Sequence, residues 1–341
     1  MTIVAGLDIH RAQITYDALN TDTGEVKTGR IAATPTAVTQ WAQGFGDADL
    51  HVAIEACTGW LFVAEALVAA EATPYLAEVA ETSALRGRKR RAKTDRTDCR
   101  WLRQLLAEGR LPEAWIPPRQ IVELRIKTRL RKTLVDQRTA WHQRIQATLF
   151  HLGLPSVPHG LRGEGARAHL AGLELPGAAR GRCEVALAMI EAIDAQLRPL
   201  ESELKGFANR QAGCRALQRH FGIGRLTAPT ILAELGDVSR LSRSRKAVRF
   251  AGIDVGVHRS DRRGRVGQLT KQGSPQLRWA LYEAAQSACR PASPDHGDYL
   301  ALKERRLSHT RASITIARKL ARRCYHTLRE LGPQAIAPPE G

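Results

Sequence analysis

The sequence predicts a mixed α/β N-terminal unit, a long helical middle of hairpin or coiled-coil type, and a mainly α C-terminal unit. Three observations carry this. Residues 1–80 alternate strand-like and helix-like patterns. Residues 120–152 and 183–210 hold helical spacing over long runs. Residues 212–331 read as mostly helical between Gly-rich pieces. The boundaries follow at 1–112, 113–211 and 212–341.

Taken in order, Ile3–Ile9 is an apolar run that passes through an acid. Gln13–Asn20 alternates and ends in the turn-like Thr21-Asp22-Thr23-Gly24, and Val26–Ala32 completes an antiparallel meander. Pro35–Phe45 reads as a short helix and His51–Ala56 as a buried strand. Thr58–Ala70 reads as a helix capped by Thr58, and Pro74–Val79 as a last strand. A dense basic run, Arg86-Gly87-Arg88-Lys89-Arg90-Arg91-Ala92-Lys93, precedes a helix over Asp95–Glu108 with Thr94 as its cap. Leu111–Pro118 is a Pro-rich break.

Gln120–Leu152 reads as one helix, with Ile121, Leu124, Leu130, Leu134, Trp141, Ile145 and Leu149 at helical spacing. Its Arg125, Arg129, Arg131, Lys132, Arg138 and Arg144 fit either nucleic-acid contacts or a solvated face. Leu154–Arg182 is rich in Gly and Pro and reads as a loop or hinge. A second helix covers Cys183–Arg210, with Pro199 expected to bend it. The two long helices fit an antiparallel hairpin or a dimer-forming coiled coil.

Composition narrows the function. The chain has 341 residues, and 52 basic against 34 acidic side chains give a net charge of +18, which points first to nucleic acid. Aromatics are only 5%, so phosphate contacts by Arg and Lys are favoured over base stacking. No stretch is apolar enough to span a bilayer, and Met1–Asp8 lacks the blocks of a secretion signal, so a cytoplasmic protein without membrane contact is expected. The six cysteines have no C-x-x-C spacing and read as buried thiols.

Four acids sit where solubility does not call for them. Asp8 lies at the end of the first strand, and Glu55 stands inside an apolar strand. Asp95 and Asp98 open a helix and share its face with Leu102, Leu105 and Leu106. Singly, Asp95 fits the helix dipole, Asp98 a surface pair with Lys93 or Arg91, and Glu55 a strand-edge salt bridge. Together on this topology they favour a Mg²⁺ site, because clustered carboxylates repel one another unless a hard cation joins them. The basic residues Arg86, Arg88, Lys89, Arg90, Arg91 and Lys93 immediately before the helix acids would hold a polyanion beside that site.

A second constellation is Ser260 between Arg259 and Arg262-Arg263, with His258 two residues back. The guanidiniums would stabilise charge on a phosphoryl centre and hold a DNA backbone, while the serine alone fits a phosphate hydrogen-bond donor as well as a nucleophile. Gly222-Ile223-Gly224 fits either a phosphate-binding helix start or a packing turn.

Gly6-Leu7-Asp8-Ile9-His10, Ala53-Ile54-Glu55-Ala56-Cys57-Thr58-Gly59 and Lys93-Thr94-Asp95-Arg96-Thr97-Asp98 resemble the DEDD-type insertion-sequence transposases. So do Phe221-Gly222-Ile223-Gly224, Thr270-Lys271-Gln272-Gly273 through Arg278, and Ala317-Arg318-Lys319-Leu320. Two positions depart from the family pattern, Asp261 after the serine and Phe221 before the glycine turn. The resemblance implies an RNase H-like domain similar to the RuvC resolvase, with Asp8, Glu55, Asp95 and Asp98 as its metal-binding tetrad. It implies Ser260 as the nucleophile that forms a phosphoserine link to DNA, and Lys271 and Arg278 as nucleic-acid contacts. It further implies donor and target DNA, a structured noncoding guide RNA (the bridge-RNA-guided recombinases) and a homo-oligomer, dimer or tetramer, in the bacterial nucleoid. The competing readings are a metal-dependent nuclease or junction resolvase with water as nucleophile, and a binding protein on an inactive nuclease fold.

Overall fold

In the computed structural model, β1 (Thr2–Ile9), β2 (Gln13–Asn20) and β3 (Val26–Ala32) form the expected antiparallel meander, with Leu7 opposite Tyr16 and Tyr16 opposite Gly29. The structure describes residues 1–86, 94–158, 163–258 and 265–339. They form two compact units, Met1–Ile116 and Pro117–Gly341.

In the first unit α1 (Pro35–Gln43) leads to β4 (Asp49–Glu55), α2 (Trp60–Ala69), β5 (Thr73–Ala77), α3 (Val79–Ala84), α4 (Asp95–Ala107) and the two-residue β6 (Glu113–Ala114). The sheet order is β3-β2-β1-β4-β5-β6. β4 runs parallel to β1 and β5 parallel to β4, while β6 returns antiparallel to β5. Side chains alternate across the sheet. Ile3, Ala5, Leu7, Val52 and Ile54 face α1 and α2, where Val38, Val63 and Leu67 complete one core. Ala53 and Ala77 face the other side and pack with Leu102 and Leu105 of α4. Gly6 makes this second layer possible. A Cβ there would meet the Cys99 carbonyl oxygen at 2.1 Å, so α4 lies directly on the backbone of β1.

Three local expectations are corrected. Thr58 does not cap α2: residues after β4 turn tightly, with the Trp60 N–H donating to the Cys57 carbonyl, and Gly59 precedes the helix without a side-chain cap. β5 stops at Ala77 because Glu78 caps α3, its carboxylate accepting the Glu81 N–H at 2.6 Å. The 154–182 stretch is not all loop, since it contains α6 (Gly163–Ala171) and the start of α7 (Gly177–Arg210). Composition misled there, because Pro176 and Gly177 open a helix rather than break one.

In the second unit α5 (Arg119–His151) and α7 lie antiparallel, as the pairs Lys127–Glu203, Arg131–Glu201 and Arg138–Asp194 require. α7 continues through Pro199. Ile145, Leu149, Ala166, Leu170, Cys183 and Leu187 close the far end of this hairpin. Its near end gives Leu124 and Leu204 to a larger core. That core is built by α8 (Ala212–Leu217), α9 (Thr227–Leu235), α10 (Ser244–Phe250), α11 (Pro275–Ala288), α12 (His296–Glu304) and α13 (His309–Leu331). Tyr325, 1% exposed, keeps its hydroxyl satisfied by donating to the Leu241 carbonyl at 2.9 Å. The Gly- and Arg-rich stretch after α10 contains a hairpin, β7 (Val255–His258) with β8 (Arg265–Leu269). All six cysteines are free, and only Cys57 is not fully buried. Among the described residues no helix is long and apolar enough to cross a membrane.

Candidate metal centre

Strand parity builds the site. Asp8 and Gly6 share the face of β1 that α4 covers, and Glu55 and Ala53 share the same face of β4. Leu7 stands opposite Ile54 in the parallel register, so the two acids emerge at one level at the ends of their strands. α4 supplies the other pair. Thr94 caps it through a reciprocal box with Thr97, which fixes Asp95 and Asp98 in the first turn. Buried Cys99, Leu102 and Leu105 turn that edge of the helix to the sheet.

Asp8, Glu55 and Asp98 line one cavity of about 170 Å³ with Val79, Thr82, Ser83, Arg86 and Leu102. Arg86 Nη1 donates to Asp98 Oδ1 at 2.5 Å, while Lys93 and Arg91, the partners considered from sequence, lie outside the described residues. Asp95 is not part of that lining. Its Oδ1 is 3.5 Å from His10 Nε2, which is 3.0 Å from Asp8 Oδ2. Sequence reasoning missed His10. It sits one residue beyond β1, and Asp95 comes within its reach only once α4 is seated on the sheet.

Burial raises the Asp8 carboxyl above its ordinary range, Asp98 and Asp95 add to this, and His10 opposes it. Burial, with Asp8, Asp17 and Asp98 nearby, pushes the Cys99 thiol up to about 12, so it is no nucleophile. Below the cluster Asp17 and Arg103 form an ion pair with side chains only 9% and 12% exposed. The donor set is hard, anionic and convergent, and Asp8, His10 and Asp95 each offer an atom within 4.8 Å of the others. Such a set fits a divalent cation.

The second constellation is only partly described. Ser260, Arg259, Arg262 and Arg263 lie outside the described residues, as do Arg88, Lys89, Arg90, Arg91 and Lys93. The hairpin β7–β8 flanks the serine segment, and Thr270 Oγ1 donates to Asp254 Oδ1 beside it. Arg278 Nη1 donates to the carbonyls of Ala251 and Lys271, tying α11 to this loop. Lys271 itself has a left-handed backbone, φ 52°. Gly222 has φ +91°, and a Cβ there would meet the Ala284 carbonyl at 2.2 Å, which gives it a packing role. Gly224 accepts the Thr227 and Ala228 N–H bonds that start α9.

The basic face of α5 is engaged within the fold. Arg129 makes a bidentate pair with Glu234, 3% exposed, which also accepts from Ser274 Oγ at 2.8 Å. Arg125 donates to the Ala233 carbonyl and Lys132 pairs with Asp136. Arg144 lies over the Trp141 ring.

Two family models match this chain. A DEDD-type IS110 model described as "Transposase" covers residues 5–152, the stretch that holds all four acids. A model described as "Transposase IS116/IS110/IS902 family" covers residues 214–301, which include Ser260. Over these two stretches the chain is similar to the IS110/IS116 transposases. It is similar to the transposase for insertion sequence element IS1111A of Coxiella burnetii, 31% identical over 97 residues, or 28% of this chain and 27% of that protein. It is also similar to an insertion element IS116 uncharacterized 44.8 kDa protein of Streptomyces clavuligerus, 24% identical over 168 residues, or 48% of this chain. The matched stretches span 27% and 42% of those relatives' own lengths. The DEDD label of the first model agrees in residue type with the acids gathered here.

Proposed function

We propose that this chain is a DNA transposase/recombinase that cuts and rejoins strands through Ser260, assisted by a divalent ion at Asp8, Glu55, Asp95 and Asp98. The observation that carries the reading is the convergence of Asp8, Glu55 and Asp98 on one cavity, with Asp95 joined to Asp8 through His10. The strand order, with a parallel β1–β4–β5 core beside an antiparallel meander, supports an RNase H-like assignment for the first unit.

In this mechanism the Ser260 hydroxyl attacks a phosphodiester. An Oγ–P bond forms, a P–O bond of the strand breaks, the serine gives up its proton and the leaving sugar oxygen gains one. The reverse attack by another sugar hydroxyl restores the serine and seals a new joint, so no external energy source is needed. Arg259, Arg262 and Arg263 would hold the phosphate and offset its developing charge. Magnesium, held by the four carboxylates, supplies Lewis-acid stabilisation of phosphate oxygens when bound. Donor and target DNA are the substrates, a structured noncoding RNA is the guide, and a dimer or tetramer in the nucleoid is the working form.

The test is covalent capture. Full-length protein incubated with labelled element-end DNA and Mg²⁺ should yield an adduct that survives denaturation. Ser260→Ala should abolish it without loss of DNA binding. Strand exchange that persists in Ser260→Ala would replace this mechanism with water attack at the acidic site. Asp8→Asn leaving recombination intact would remove the acids from the chemistry.

A further inference from the structure

Among the described residues, His10 is a nitrogen donor at the acidic site that faces two of its carboxylates. Its backbone N–H is anchored in the turn after β1, donating to the Gln13 carbonyl at 3.0 Å. Its Nε2 stands 3.0 Å from Asp8 Oδ2 and 3.5 Å from Asp95 Oδ1. A ring nitrogen carries at most one hydrogen, which cannot serve two anions at full strength. A cation placed among the three atoms satisfies all of them. Donors bound to one ion at about 2.1 Å lie about 3 Å apart when adjacent and about 4.2 Å when opposite. The three atoms here, all within 4.8 Å of one another, already stand near such spacings.

We infer that His10 Nε2 is a metal ligand, and that Asp8, His10 and Asp95 form a mixed nitrogen–oxygen position that holds a transition-metal dication such as Mn²⁺ more tightly than Mg²⁺. The inference rests on the proposed metal role of the acids and adds a donor to it. An imidazole ligand favours first-row transition metals, whereas Mg²⁺ prefers oxygen donors alone. Asp8 also lines the cavity with Glu55 and Asp98, so the ion would share Asp8 with that cavity.

The test uses Mn²⁺ as both ligand and spectroscopic probe on the full-length protein. Pulsed electron paramagnetic resonance should show ¹⁴N modulation from a directly bound nitrogen, replaced by a ¹⁵N pattern when histidine is isotope-labelled. His10→Gln should erase the modulation and weaken Mn²⁺ binding by about tenfold or more, with a smaller effect on Mg²⁺. A His10 that only orients Asp8 would lower both affinities alike and give no coupling. Mn²⁺ binding that is abolished by Asp8→Asn but shows no nitrogen coupling overturns the His10 inference and leaves the acidic site standing. Wild-type protein that binds neither Mn²⁺ nor Mg²⁺ overturns the acidic site itself, and the inference with it.

Discussion

Gly6 lies so close beneath Cys99 that a side chain at Gly6 would meet the Cys99 carbonyl oxygen at 2.1 Å and the Arg103 amide nitrogen at 2.7 Å. Both contacts are with backbone, which cannot rotate away. The seat of α4 on β1, and with it the approach of Asp95 and Asp98 to Asp8, depends on that missing Cβ. Gly6→Ala should cost about 1–3 kcal/mol, the usual penalty of overpacking, and should weaken divalent-ion binding even though no ligand is altered. Urea unfolding and Mn²⁺ titration on the same sample check both effects.

Asp17 and Arg103 tie β2 to α4 under the site, almost out of contact with water. Removing one partner leaves a charge stranded. Arg103→Ala should destabilise the chain by about 3–5 kcal/mol, and Arg103→Met with Asp17→Leu should recover much of that loss. Chemical denaturation of the single and double variants measures it. Equal instability of both would assign the effect to packing.

Arg86 holds Asp98 by an ion pair on the cavity wall. A cation entering there must displace or share that guanidinium. Arg86→Ala should tighten divalent-ion binding about two- to fivefold, the worth of a partly exposed pair, while leaving thermal stability nearly unchanged. Calorimetric titration with Mg²⁺ and Mn²⁺ reads this directly.

His220 gives a pH dependence of known sign. Its Nε2 is 2.8 Å from Thr327 Oγ1, and partial burial, with Arg323 nearby, lowers its pKa below 6.5. Between the lowered value and 6.5 the unfolded chain binds more proton than the folded one, so stability rises with pH across that window and falls on acidification. His220→Gln should flatten the slope of unfolding free energy against pH below 6.5 without changing the plateau by more than about 1 kcal/mol.

The meander was legible to the residue because period-two patterns and a Gly-containing turn agree over Gln13–Ala32. The acids were legible because a carboxylate inside Val52–Ala56 and an i, i+3 pair under a leucine stripe have few structural uses. His10 was not, since it needs the sheet face of Asp8 and the position of α4 to acquire meaning. The cations of α5 were ambiguous for the same reason. Their partners Glu201, Asp194 and Glu234 lie far along the chain, and only folding brings them within reach. The helical content of 163–182 was hidden because glycine and proline at a helix start look like a loop.

The engaged α5 side chains bear on how strongly this protein should respond to salt. A polyanion gains affinity by releasing condensed ions where free cations replace them, and a guanidinium already neutralised by a carboxylate contributes little. Arg129, Arg131 and Arg138 are such cases. The logarithmic salt slope for DNA or RNA should therefore fall well short of what 52 basic side chains would give, with the helical arm acting more as a strut than as a contact surface.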